Sequence, residues 1–275
     1  PIDPVNSAGQ KLYYTYATGG SWELNTLLES QEKHDAAIND SGESPGLYEI
    51  GTDLALTPAN RDIGLLAYWD FEGDATDMLI DKSGNGYTLT QSGSVAVAAT
   101  ASAKVGLQAA LFDGTSSYFT APNPLSLNPN ASPLTATAWF NPATLNTVEK
   151  DIFQQRDDAT GTGKLWLAIT ASGVPCGNTV LASFLSGSCL SGGGTLSANT
   201  WYHAAVASGD GVISLYLNET FVGSTSVTPP PSTGTFVIGA AKSPSKWFGG
   251  TLDDIRIYSR ALTSTEIQAI YNATK

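Results

Sequence analysis

Apolar and polar residues alternate along most of this chain with a period of two, the spacing of strands that bury one face. In Leu65-Leu-Ala-Tyr-Trp-Asp-Phe-Glu72 the positions Leu65, Ala67, Trp69 and Phe71 fall against Leu66, Tyr68, Asp70 and Glu72, which predicts a strand with one strongly aromatic face. Strand-like runs recur over 135–140, 151–155, 164–170, 180–185, 201–207, 212–217, 221–226 and 235–238. Turn residues part them, as in Ala109-Ala-Leu-Phe-Asp-Gly-Thr-Ser-Ser-Tyr-Phe119, where Asp-Gly separates two strands. Many short strands with Gly, Asn and Asp turns predict an all-β sandwich. The one helical pattern closes the chain. Thr263-Ser-Thr-Glu266 fits a capping box, Leu262 and Ile267 fit a hydrophobic staple, and Ile267, Ile270 and Tyr271 share a face. A short helix lidding the sandwich edge is expected there.

The first 62 residues read differently from 63–275. Lys11-Leu-Tyr-Tyr-Thr-Tyr-Ala17 predicts an aromatic strand, Thr18-Gly-Gly20 a turn, Ser21–Leu28 a returning strand and Leu47–Leu56 a third. A small antiparallel β segment of this size has no partner layer of its own. It needs a further surface, and the sequence leaves room for an upstream anchoring helix.

The run Phe248-Gly-Gly-Thr-Leu-Asp-Asp-Ile-Arg-Ile-Tyr258 predicts the last strand, interrupted by Asp253 and Asp254. Adjacent residues of a regular strand point to opposite faces, so one of these acids is expected inside and the other out. An inward carboxylate needs a cation or several donors to offset its desolvation. The pairs Asp157-Asp158 and Asp253-Asp254 therefore do not flank one glycosidic bond, and no strand carries a full alternating Glu-x-Asp-x-x-Glu pattern. No Gly-x-Ser-x-Gly elbow, phosphate loop or zinc-helix motif is present, and only two His residues are available for a triad. The sequence thus argues against an enzyme.

Composition narrows the rest. The net charge of -12 over 275 residues excludes a nucleic-acid partner. No apolar run approaches the roughly 20 residues of a membrane span. Cys176 and Cys189 flank a Gly/Ser-rich segment without a third thiol or a His cluster, so a local disulfide is favoured over a metal site, and with it an extracellular or cell-surface location.

Two resemblances follow. Pro1-Ile-Asp-Pro4, the aromatic strand, Ser21-Trp-Glu-Leu24, Leu28-Glu-Ser30 and Tyr48-Glu-Ile-Gly51 are similar to the globular part of bacterial pilin-like and type II secretion pseudopilin proteins. Ala67–Glu72, Asp81-Lys-Ser-Gly-Asn-Gly86, Leu111-Phe-Asp-Gly114, Thr137-Ala-Trp139, Trp201-Tyr-His203, Leu215-Tyr-Leu-Asn218, Ile238-Gly239 and the last strand together resemble the laminin G-like, concanavalin A-like lectin superfamily. That second resemblance implies a jelly-roll β-sandwich over 63–275, a bound Ca2+, and a glycan or surface protein as partner. The first implies pilus or pseudopilus subunits as neighbours.

From these the expected Ca2+ ligands are Asp81 and Asp253, with Asn85 and Glu72 beside them, because Ca2+ takes six to eight oxygens from carboxylates and loop carbonyls. The alternative is an Asx-turn at Asp81 and a solvated Asp253. On the metal reading Asp253→Ala lowers stability and Asp254→Ala does less. Trp247 is the candidate sugar-stacking residue, with packing at the start of the last strand as its alternative; Trp69, Trp139, Trp166 and Trp201 read as core. His203 reads as structural. Asn218 is followed by Glu219 where the superfamily has Asn-Gly, and Glu tolerates positive φ poorly, so a longer hairpin loop is expected there. The expected function is a non-catalytic, Ca2+-stabilised adhesion domain on a pilin-like surface protein, with a purely structural filament subunit or a secreted glycoside hydrolase-like sandwich as alternatives.

Overall fold

The computed structural model describes residues 14–18, 22–26, 48–51, 64–98, 103–121, 133–145, 149–156, 163–170, 180–183, 190–192, 194–226, 235–241 and 246–275. Two compact units divide the chain, Pro1–Ile63 and Gly64–Lys275. In the first, β1 (Tyr14–Thr18), β2 (Trp22–Thr26) and β3 (Tyr48–Gly51) form an antiparallel sheet in that order. No described helix is long and apolar enough to cross a membrane.

The second unit is an antiparallel β-sandwich. One sheet runs β13 (Leu190–Gly192), β12 (Val180–Ser183), β11 (Gly163–Ile169), β10 (Lys150–Arg156), β17 (Thr235–Ile238), β8 (Tyr118–Ala121), β5 (Thr90–Ser92). The other runs β16 (Thr220–Ser226), β15 (Val212–Leu217), β14 (Tyr202–Gly209), β9 (Leu134–Pro142), β18 (Gly249–Tyr258), β7 (Ala109–Asp113), β6 (Ala96–Ala98). One edge of β18 is shared end to end by two strands: β7 pairs with Gly249–Leu252, and β4 (Leu65–Trp69) with Ile255–Tyr258. The first strand of the sandwich thus pairs with its last, as the resemblance implies.

Apolar positions of both sheets fill the space between them. Trp69 stacks on Phe236 across that space at 6.0 Å, and Phe112 meets Phe119 edge-on at 5.3 Å. A second, smaller apolar cluster lies on the other face of the β18 sheet, where Leu65, Ala205, Ala207, Tyr216 and Tyr258 pack against Leu262, Ile267 and Ile270. The last two belong to α1 (Ser264–Thr274), which begins with the expected capping box between Thr263 and Glu266. The helix covers a sheet face and not the sandwich edge, which corrects the placement expected from sequence. It covers Tyr258 at the end of β18, a strand whose every residue is buried.

The hairpin expected to be long is instead tight. Asn218 and Glu219 both adopt positive φ, 48° and 66°, and Leu217 pairs directly with Thr220. Local bonds offset the strain: Asn218 Oδ1 accepts from His203 N at 2.9 Å, and Glu219 Oε2 accepts from Gln268 of α1 at 3.2 Å.

Candidate functional site

The two acids of β18 do not point apart. Between Asp253, which faces Trp139, and Arg256, which faces Thr137, β18 uses three residue steps where β9 uses two. Asp254 is the extra residue of this bulge, with φ of 47°. The bulge restores Ile255 to the core and leaves both carboxylates on the face of the sheet turned away from it, where Asp253 and Asp254 are 0% and 1% exposed. The expected division into one inner and one outer acid is therefore wrong, because a bulge breaks the period of two.

Each acid has its own partners. Asp254 holds Arg256 through two bonds, 2.6 Å to Nε and 3.0 Å to Nη2, and accepts from the Tyr68 hydroxyl at 3.1 Å. The guanidinium also lies 4.2 Å from the Tyr68 ring centroid. Asp253 Oδ2 accepts from the backbone N–H of Lys104 and Val105, both at 2.9 Å, while its Oδ1 is buried without a hydrogen-bond partner. Burial pushes its pKa up to about 8 against the pull of those two N–H groups. Nearby, the ring of His203 packs against Trp139 and Tyr271 with neither nitrogen bonded, and burial lowers its pKa to about 4.

The remaining expected ligands are loop fasteners. Asp81 accepts from Tyr68 N, Ser83 N, Ser83 Oγ and Tyr87 N at 2.8 to 3.0 Å, an Asx-type turn tied to β4. Asn85 donates to Leu65 O and Leu66 O. Glu72 Oε1 accepts from Leu107 N and Gln108 N at 2.8 and 2.9 Å. Glu72 and Asp253 therefore grip the loop 103–108 at its two ends. At Gly106, with φ of 67°, a Cβ would come within 2.3 Å of Glu72 Oε1, so the grip requires glycine there.

A separate group occupies the face of the β10 sheet turned away from the core. A register shift between Asp151 and Phe153 sends Ile152 and Phe153 both into the core and brings Asp151 and Gln154 to one face. Gln154 Nε2 donates to Asp151 Oδ2 at 2.5 Å. Glu149 bonds Lys246 at 2.7 Å, and the Lys246 ammonium lies 5.1 Å from the centroid of Trp166. Burial first, then the Glu149 charge, raise the Asp151 pKa well above the usual carboxylate range. The backbone continues the arrangement: Lys246 O accepts from Asp151 N at 3.0 Å, Trp247 lies half-buried 5.7 Å from Tyr118, and Phe248 enters the core. Trp247 thus packs near the start of β18 and keeps part of its ring exposed. Sequence inspection missed Glu149, Asp151, Gln154 and Lys246. The alternation Glu149-x-Asp151 was the available signal, masked because Gln154 stands where a third acid was sought. Trp139, read as core from sequence, is buried, packed against Tyr271 of α1 and bonded to Thr274, whereas Trp166 is only partly buried outside the space between the sheets.

Residues 113–268, more than half of the chain, match the family described as the concanavalin A-like lectin/glucanases superfamily, laminin G type. The chain belongs to this superfamily. Similar solved structures include domain 4 of AbnA, an extracellular GH43 arabinanase from Geobacillus stearothermophilus, in complex with arabinotriose; identity is 22%, TM-score 0.57, and coverage 77% of this chain and 98% of that one. The binding domain of Paraclostridial Mosquitocidal Protein 1 aligns at 16% identity and TM-score 0.59, covering 78% of this chain and 53% of that chain. A botulinum neurotoxin type C structure, whose cell entry depends on interaction with two ganglioside molecules, aligns at 13% and 0.60, covering 78% and 52%. The chain thus spans about half the length of those two toxin chains. At these identities the likeness is one of fold. No curated protein sequence matches the chain.

The Ca2+ implied by resemblance to the superfamily does not fit the residues expected to hold it. The oxygens of Asp81, Glu72 and Asp253 that face their loops already accept N–H or hydroxyl bonds, Asn85 turns its amide nitrogen toward carbonyls, and Asp253 Oδ1 is a single unpartnered oxygen where Ca2+ takes six to eight. Among the described residues no three His, Cys, Asp or Glu side chains are grouped to bind a metal. Thermal unfolding in EDTA and in millimolar Ca2+ is expected to give one midpoint. A site filled at a hundred times its Kd would separate them by roughly 5 to 10 °C. The expected disulfide cysteines, Cys176 and Cys189, lie outside the described residues.

Proposed function

We propose that this chain is a non-catalytic glycan-binding domain whose sugar contact lies on the outer face of the β10 sheet. The observation that carries this reading is the half-exposed Trp247, set against Tyr118 beside the polar group of Asp151, Gln154 and Lys246. An apolar ring next to fixed donors and acceptors suits a pyranose or furanose, which has an apolar face and a polar rim. Membership of a superfamily of lectins and glucanases supports it, as do similar folds described with arabinotriose or gangliosides.

Catalysis fits poorly. A glycosidase sets two carboxyl groups about 5 to 9 Å apart across an open cleft. Here Asp253 lies buried against the loop at Lys104 and Val105 and Asp254 against Tyr68 and Arg256, Asp151 is 2% exposed, and Glu149 is engaged by Lys246. Extracellular display, with the first 62 residues joining the domain to a pilus or pseudopilus, is the setting the sequence resemblance supports. A purely structural filament subunit is the competing role.

A glycan array followed by calorimetry tests the reading. Trp247→Ala is expected to weaken every hit by at least about tenfold, or 1.4 kcal/mol, while leaving the unfolding midpoint close to that of the parent. An array without hits would favour the filament role.

A further inference from the structure

We propose that the edge strand β16 pairs antiparallel with β16 of a second copy of this chain, so that the two β18 sheets join across a two-fold axis beside Ser224. Strands β5, β6, β13 and β16 end the two sheets of the sandwich. The first three have three residues each, whereas β16 has seven, Thr220-Phe-Val-Gly-Ser-Thr-Ser226. The other edge of β4, which pairs with β18, is taken up by the loop at Asp81, Lys82 and Asn85. Long open edges are usually blunted by charge or proline. β16 carries neither, and the one charged residue of the hairpin 211–226 is Glu219, held by Gln268 and Asn272 of α1. Thr220, Phe221, Ser224 and Ser226 are exposed, Phe221 by 53%, and among the described residues β15 is the only strand paired with β16. Behind the strand, a Cβ at Gly223 would meet Leu190 Cδ1 of the other sheet at 3.2 Å, so the core is closed there and the backbone edge is what stays open.

Charge and side-chain size select a second copy as the occupant. At a net charge of -12 two copies repel at long range, but β16 brings no charge to the contact. The bulge at Val222 leaves 223–226 in even register with 212–215. An axis beside Ser224 sets the two Ser224 hydroxyls together and Gly223 opposite Thr225, small side chains whose hydroxyls bond across paired strands. Phe221, about 10 Å from the axis at ~3.4 Å per residue, flanks the paired segment at each end. The same patch on both copies makes the contact isologous, and it closes at two. A strand edge is small beside the roughly 1,200–2,000 Å2 of a stable interface, so the dimer is expected to be weak and to tighten as salt screens the repulsion.

Sedimentation equilibrium of the full chain, at low and high salt, tests this on the parent and on Ser224→Lys, Ser226→Lys and Thr90→Lys. The parent is expected to dimerise with a Kd on the order of 10–100 µM, lower at high salt. Each serine variant places a charge on the open edge and is expected to raise that Kd at least about tenfold with an unfolding midpoint close to the parent's. Thr90→Lys, on the edge strand β5 of the other sheet, is expected to leave it unchanged. A parent that stays monomeric at every concentration would overturn the pairing. So would a Kd unchanged in both serine variants, an assembly that grows past two copies, or a dimer that salt weakens. Should one serine variant not fold, the other carries the same comparison.

Discussion

Asp254→Ala is expected to destabilise the sandwich by about 3–5 kcal/mol, the cost of leaving a buried guanidinium without its carboxylate. Arg256 is 7% exposed, and Asp254 supplies both of its charge-assisted bonds as well as the acceptor for Tyr68. Asp253→Ala is expected to cost less, because Asp253 fastens only the two N–H groups of the loop at Lys104 and Val105, which water can reach once the loop loosens. This order is the reverse of the one expected from sequence, and chemical denaturation of the two variants decides between them. The double variant Asp254→Leu, Arg256→Met is expected to recover much of the loss, since replacing both members of a buried pair removes the unpaired charge. A loss under about 1 kcal/mol for Asp254→Ala would mean that the pair is solvated.

His203 and Asp253 are expected to give the fold two opposed pH dependences. The folded pKa of His203 falls from 6.5 to about 4, so between those values the unfolded chain binds the extra proton. Its contribution is therefore complete above pH 6.5 and is lost as pH falls toward 4, by about 3 kcal/mol in all. Asp253 works the other way. Its folded pKa rises from 3.8 to about 8, so the folded chain holds the extra proton, and its contribution is complete below pH 3.8 and lost as pH rises toward 8. The two slopes, each up to about 1.4 kcal/mol per pH unit, cancel between roughly 4 and 6.5. Only the decline due to Asp253 remains above that window. His203→Phe is therefore expected to gain on the parent as the pH drops from 6.5 to 4, and Asp253→Asn to gain on it as the pH rises from 4 to 8. Stability curves parallel to the parent's in both variants would rule out the shifts.

The loop residues show how much chemistry a sequence can suggest while leaving its use open. Asp81, Asn85, Glu72 and Asp253 were legible as oxygen donors near the junction of the first and last strands, and all four hold that region together. The partners of the three acids are mostly backbone N–H groups of segments 103–108 and 81–87, and no pattern in the sequence announces which backbone will approach which carboxylate. The group around Asp151 was less legible. Its members come from the start of β10, from β11 and from the turn before β18, and Asp151 meets Gln154 only because the strand is irregular at Ile152.

By itself the sequence determined the alternating strands, the Asp-Gly turn position, the capped final helix and the membership of a lectin-like superfamily. These features depend on local periodicity and turn chemistry, whose effects extend over a few residues. Only the tertiary structure decided which way the acids of β18 point, that α1 lies on a sheet face, and that Trp166, Asp151 and Lys246 share a surface. A single extra residue in a ladder inverts the facing of its neighbours, and besides Arg256 two residues on, the groups that hold that bulge are Trp139 and Tyr68 on the neighbouring strands, far from Asp254 along the chain.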